Sequence, residues 1–293
     1  MWSLTSVFLA TAGFSSLALG KPIFKRQDKT PVDAETYENL AYYAGFPIIT
    51  GILANGTCAS PSNDAELISY ININSTDTQA ALWKSPSTGE IIVGIPGTDS
   101  DIDSGTDFDF ILTEYESLNI DCEDCKVHHG FLGAWNSLAP VLSEQLAAAL
   151  EENPEYNTVI SGHSLGGAIA AFAFASLKNG PYRVTSAYTY GQPRVGNSDF
   201  ASYLNSISGA NGTDPGILYR VTHDNDGIPQ LPPTLFGYEH TSTEYWESEA
   251  SPNQETTYQC EGNEPSDCNN SRPNLGGGDA HSSYAGMDEV TCS

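Results

Sequence analysis

Positive charge is scarce in this chain: 11 Lys and Arg stand against 37 Asp and Glu over 293 residues, a formal net charge of −26 at pH 7. Nucleic acid is excluded as a partner, because each phosphate contact needs a cation to release counterions. An anionic membrane or an acidic polysaccharide is likewise repelled at neutral pH, whereas a neutral ester is indifferent to the charge. Long apolar runs are missing too. Leu4 to Leu19 is apolar or small throughout, but it is too short to cross a hydrocarbon core about 30 Å thick. It reads instead as a signal peptide over residues 1–20, with Ala18-Leu19-Gly20 as its cleavage site and Lys25-Arg26 closing a short pro-segment, 21–26. Residues 27–293 are then the mature chain, exported and without stable membrane insertion. Internal repeats are absent, and no second Cys-x-x-C accompanies Cys122-Glu123-Asp124-Cys125, so no metal site and no cofactor are expected.

What is present is enough for one large core: 39% of residues are hydrophobic and 10% aromatic. Export places the six cysteines in an oxidising compartment, which favours three disulfides. Spacing alone allows about 15 connectivities. Cys122 with Cys125 and Cys260 with Cys268 are close enough to bridge locally, leaving Cys58 with Cys292 to tie the ends together. Sequons at Asn55, Asn74, Asn211 and Asn269 mark expected glycosylated surface loops.

Apolar periodicity predicts a helix over Val32–Tyr43, strands over Leu67–Ile73, Ala80–Lys84 and Ile91–Ile95, and a long amphipathic helix over Phe131–Glu152. Further helices are expected to end near Lys178 and to cover Ser198–Ser206, with strands at Val184–Tyr190 and Ile217–Val221. Ser251 to Gly278 reads as loop. Strands alternating with helices predict an α/β domain with a mostly parallel sheet covered on both faces.

The most informative stretch is Thr158-Val-Ile-Ser-Gly-His-Ser-Leu-Gly-Gly167, where a β-branched run ends abruptly and an Ala-rich helical pattern begins. A serine at the tip of such a turn is strained and exposed, and glycines two residues to either side let the backbone bend tightly. Ser164 is therefore a candidate nucleophile, with the N–H of Leu165 at the helix N-terminus as an oxyanion donor. A nucleophilic serine needs a base and an orienting acid. If the order is serine, acid, histidine, the base is His240 or His281, and the acid lies in Arg220-Val-Thr-His-Asp-Asn-Asp226, as Asp224 or Asp226.

Six ordered motifs, Gly162-His-Ser-Leu-Gly-Gly167, Tyr190-Gly-Gln-Pro-Arg-Val-Gly-Asn197, Val221 to Pro233, Gly237-Tyr-Glu-His240, Glu244-Tyr-Trp246 and Asp279-Ala-His281, together resemble the fungal lipase family (class 3). That family includes filamentous-fungal triacylglycerol lipases and type A feruloyl esterases. The resemblance implies an α/β-hydrolase fold with Ser164, Asp226 and His281 as the triad, and it places the second oxyanion donor at Thr98. It leaves His240 as a structural histidine and matches the disulfide pairing above. Where the family usually has Arg before the Gly97-Thr98 pair, this chain has Pro96.

Between Thr98 and Phe110 the resemblance implies a lid. Here it is Asp99-Ser-Asp-Ile-Asp-Ser-Gly-Thr-Asp107, with four aspartates and no aromatic, a composition unsuited to docking on lipid. In this it is similar to the feruloyl esterases, although the Tyr they use against the acyl group is Phe110 here. Asp107, Phe110 and Leu231 are the candidate substrate contacts. The expected protein is a secreted, monomeric serine ester hydrolase acting on glycerides or short to medium acyl esters. A feruloyl esterase is the alternative, and a silent binding protein on the same fold is a more distant one.

Overall fold

The computed structural model describes residues 29–56, 64–97, 110–212, 214–274 and 276–291. The expected leader and pro-segment, the Cys58–Cys292 bridge, Thr98 and the acidic segment through Asp107 lie outside the described residues, as does the side chain of Asn55.

The chain enters through β1 (Thr30–Pro31) and helix α1 (Ala34–Asn55), then makes the antiparallel run β2 (Glu66–Ile73), β3 (Thr78–Ser85) and β4 (Glu90–Ile95). A small two-stranded sheet of β5 (Leu112–Glu114) and β6 (Lys126–His128) precedes the long helix α2 (His129–Glu152). Next come β7 (Asn157–His163), α3 (Leu165–Leu177), β8 (Val184–Tyr190), α4 (Ser198–Ser208), β9 (Leu218–His223), β10 (Glu244–Glu247) and β11 (Thr257–Cys260). One nine-stranded sheet has the order β1-β11-β10-β9-β8-β7-β4-β3-β2. Its centre, β4, β7, β8, β9 and β10, is parallel, and its flanks are antiparallel. This is the expected α/β architecture in a single domain, the α/β-hydrolase fold.

The parallel strands read as continuous apolar runs because both faces are covered. In β4, Ile91 and Val93 face the core under α2 and α3, while Ile92 faces the core under α1; Ile160 and Val159 of β7 divide in the same way. Helix α3 is apolar on all sides, with Ala168, Ile169, Phe172 and Phe174 buried, as a helix enclosed on every side must be. On the α1 face, Tyr43 stacks on Tyr188 at 4.3 Å, Tyr188 on Tyr219 at 4.6 Å, and Tyr219 leans on Tyr245 at 5.1 Å. One row of phenol rings thus crosses three adjacent strands.

Several boundaries differ from the expectation for identifiable reasons. Helix α1 starts two residues late, at the Asp33 cap, whose carboxylate accepts from the Thr36 N–H at 2.7 Å, and it runs twelve residues past Tyr43. It passes through Pro47, which cannot bond the Tyr43 carbonyl. The Ser161 hydroxyl of β7 donates to that carbonyl instead, at 2.7 Å. The segment expected as loop contains β11, and the short strands β1, β5, β6 and β10 were not predicted; two to four residues carry too little periodicity to show. Cys122–Cys125 and Cys260–Cys268 are bonded as expected.

The sequons divide. Asn74 and Asn211 are exposed in turns, whereas Asn55 ends α1 rather than lying between elements. The glycosylation expectation at Asn269 is corrected: the residue is 3% exposed and its amide donates to the Asp226 carbonyl at 2.9 Å, leaving no room for a glycan. Among the described residues no helix is long and apolar enough to cross a membrane.

Candidate active site

Strand β7 ends at His163, and Ser164 turns the chain into α3 with φ 57° and ψ −125°. A serine held there stores strain that the surrounding packing must offset. The two glycines explain how that packing is possible. A Cβ on Gly162 would lie 2.2 Å from the Gly166 carbonyl oxygen, and one on Gly166 would lie 2.2 Å from Ile95 O and 2.3 Å from Pro96 O. The Ser164 N–H donates to Tyr190 O at 2.8 Å, pinning the tip to the next strand. Leu165 is the first residue of α3, so its N–H belongs to the helix N-terminus beside the serine.

His281 sits in a single 3-10 turn, Asp279–Ser282. Its Nε2 is 2.8 Å from Ser164 Oγ and its Nδ1 is 2.9 Å from Asp226 Oδ2. Asp226 follows β9 and is fully buried. Its Oδ1 accepts from the Ile228 N–H at 3.0 Å, and its Oδ2 also accepts from the Tyr284 hydroxyl at 2.5 Å. The structure thus brings Ser164, His281 and Asp226 into one relay. Gly191 is needed for its closure, since a Cβ there would come 2.7 Å from the His281 ring and its φ is +59°.

The rival side chains go elsewhere. Asp224 pairs with Arg272. His240 is buried, donates from Nε2 to Pro229 O at 2.6 Å, and is held well below the usual histidine range by burial and by Arg220 and Arg194. It organises the loop after Asp226 together with Arg194, which donates to Pro232 O at 3.1 Å and pairs with Glu264 at 2.7 Å. Burial opposes ionisation of Glu264, but the Arg194 guanidinium and His240 outweigh it and hold the carboxyl low. Leu231 is buried in this loop; Phe110 packs on Phe236 with ring centroids 5.1 Å apart.

Three residues of the histidine segment's surroundings escaped sequence reasoning. Tyr284 supports Asp226, as above. His163, immediately before the serine, donates from Nε2 to the His281 carbonyl at 2.7 Å, and burial followed by the neighbouring His281 lowers its pKa to about 4. His223 faces the Ala280 carbonyl through Nδ1 at 2.8 Å. The only trace of these in the sequence was the three-residue spacing from His281 to Tyr284 and the adjacency of His163 to Ser164.

With this geometry in hand, the likenesses to known proteins fall into place. A family model described as Lipase (class 3) matches residues 92–236. Secreted mono- and diacylglycerol lipase 1 of Fusarium solani is 35% identical over 211 residues, 72% of this chain and 59% of that protein. The lipase of Rhizomucor miehei is 33% identical over 222 residues, 74% of this chain and 57% of that protein. The matching region therefore spans less than two thirds of these relatives' length. Among solved structures, lipase II from Rhizopus niveus superposes with a TM-score of 0.74 at 26% identity, over 88% of this chain and 97% of that one. A lipase from Yarrowia lipolytica gives 0.78 at 26% identity, over 91% and 99%.

Proposed function

This chain belongs to the class 3 lipase family, and on that premise we propose that it is a secreted serine carboxylic-ester hydrolase acting on acylglycerols or other short to medium acyl esters. The observation that carries the reading is the relay from Ser164 Oγ through His281 to Asp226, with steps of 2.8 and 2.9 Å on a strained elbow. His281 Nε2 takes the hydroxyl proton as Ser164 attacks the ester carbonyl, then returns it to the departing alkoxide. Asp226 keeps the Nδ1–H tautomer and stabilises the imidazolium. Water repeats the cycle on the acyl-enzyme. The Leu165 N–H, with Thr98, is the proposed oxyanion donor pair; loss of one such donor typically costs about 100- to 1,000-fold in rate.

Acylglycerols are favoured by the names of the relatives and by apolar surface on the loop after Asp226 and on the residues leading into β5. Leu235 is 89% exposed, Phe236 51% and Ile111 57%, with Phe110 against Phe236. Exposed apolar side chains gathered in this way suit contact with an acyl chain. Rates on p-nitrophenyl esters of rising chain length, set beside methyl ferulate, distinguish this substrate class from hydroxycinnamoyl esters, the reading that the acidic segment Asp99–Asp107 favours. The mechanism is tested by Ser164→Ala, which is expected to lower ester hydrolysis by on the order of 10⁴-fold or more with folding intact. Hydrolysis near the wild-type rate would overturn it.

A further inference from the structure

Strand β10 carries two fully buried glutamates with opposite surroundings. Glu244 is neutralised and saturated: Arg220 pairs with it at 3.3 Å, the Thr222 hydroxyl donates to it at 2.6 Å, and the Asn269 N–H at 3.0 Å. Glu247, three residues on, forms no ion pair among the described residues. Its Oε2 accepts one bond, from the Ala285 N–H at 3.1 Å, and its Oε1 is buried without a hydrogen-bond partner.

The groups around Glu247 cannot supply what it lacks. Tyr37 on α1, Tyr190 at the end of β8 and Tyr284 in the C-terminal segment all feel its charge. Each hydroxyl proton is committed elsewhere: Tyr37 to Pro252 O at 3.0 Å, Tyr190 to Leu40 O at 2.5 Å, and Tyr284 to Asp226 at 2.5 Å. His223, its register neighbour on β9, turns both ring nitrogens to the carbonyls of Ala280 and Glu249, and its neighbour on β11 is Thr257. A carboxylate sealed in with a single donor is costly, so burial pushes the Glu247 carboxyl up to about 8.

Its single hydrogen bond is placed where it matters. Ala285 follows Tyr284, and the stretch from Ala280 to Ala285 carries His281 with only one 3-10 turn of its own. Four contacts fix it: His223 on the Ala280 carbonyl, His163 on the His281 carbonyl, the Tyr284 hydroxyl on Asp226, and Glu247 on the Ala285 N–H. We propose that Glu247 is a positioning residue for His281, holding this segment through Ala285 while uncharged and loosening it once ionised. The proposal rests on the reading of Ser164, His281 and Asp226 as the reacting groups. Ionisation strengthens the Ala285 bond but leaves a desolvated negative charge on Glu247 beside Tyr284, which already bridges to the Asp226 carboxylate, and opening the segment to water relieves that charge.

The test compares wild type, Glu247→Gln and Glu247→Leu on a soluble p-nitrophenyl ester from about pH 6 to about pH 9.5, with Tm over the same range in a Ser164→Ala background. The wild-type kcat is expected to fall with a midpoint near 8, with KM little changed. Gln keeps the acceptor and cannot ionise, so the ratio of its kcat to wild type should rise several-fold between about pH 7 and pH 9. Leu lacks the acceptor and should lower kcat at every pH. In the inactive background the Tm advantage of Gln should grow as pH approaches 8 and then level off. Superimposable kcat profiles for Gln and wild type, or a Tm difference independent of pH, would overturn the proposal, and the Gln variant decides alone if Leu does not fold. Activity surviving Ser164→Ala would instead overturn the proposed mechanism, a separate result.

Discussion

Around Ser164 the chain is held by backbone pressed against backbone: Gly162 against Gly166, Gly166 against the carbonyls of Ile95 and Pro96, and the serine N–H on Tyr190 O. Around His281 it is held by side chains, with His163, His223, Tyr284, Asp226 and Glu247 each contributing polar contacts to a segment that has little regular structure. Steric contact has no proton to gain or lose, whereas three of those side chains are buried ionisable groups whose protons burial has displaced from their usual pH. The end that carries the proposed nucleophile should therefore tolerate pH and fail on added volume, and the end that carries the proposed base should tolerate small changes of shape and fail on changes of charge.

The sharpest way to separate the two ends is at the acid. Asp226→Asn should lower kcat by on the order of 10⁴-fold without unfolding, because the imidazole loses its tautomer and its countercharge. Asp224→Asn, which only breaks the pair with Arg272, should stay within a few-fold of wild type. Steady-state kinetics on both variants checks this, and reversed effects would identify Asp224 as the acid. At the nucleophile end, Gly166→Ala adds one methyl into contacts of 2.2 and 2.3 Å with fixed carbonyls. It is expected to cost about 3 kcal/mol or more, measured by urea unfolding, with a deficit that does not vary with pH. A pH-dependent deficit would break the comparison.

Smaller changes probe the base end. Tyr284→Phe removes one hydrogen bond to a buried carboxylate and should lower kcat roughly tenfold while leaving KM nearly constant. The smallest effect concerns His163. Its folded pKa, about 4, lies below its unfolded value, so the unfolded chain takes up the proton first, and stability falls as pH drops from about 6.5 towards 4. His163→Gln keeps a donor for the His281 carbonyl but cannot titrate there, and should flatten that part of the Tm profile by a few degrees. An unchanged acid slope would show that other groups set it.

How much of this was readable beforehand follows the same division. The elbow announces itself because its constraint is local: two glycines, a serine and the change from β-branched to Ala-rich residues all fall within ten positions. The mostly parallel sheet and the long helix α2 follow from alternation and periodicity for the same reason. Helix α1 was cut short because nothing near Pro47 reveals that Ser161, distant in sequence, will satisfy the carbonyl the proline leaves open. His163, Tyr284 and Glu247 could not be assigned from sequence either, because their partners are brought together only by the fold. Asn269 misled in the opposite direction, since a sequon reports three residues and not the burial that Asp226 imposes on the first of them.

The row of tyrosines on the α1 face gives the molecule a built-in optical reporter. Tyr188 and Tyr219 lie nearly parallel, 9° apart, and Tyr43 and Tyr188 are 22° apart, each on a different element. Rings fixed at such angles make a near-ultraviolet circular dichroism signal that needs α1 docked and the strands in register, and that disappears when fixed packing is lost even if helices persist. Because none of these three rings takes part in the contacts around His281, that signal should stay constant while the base end loosens. A single spectrum can then tell a damaged site from a melting core.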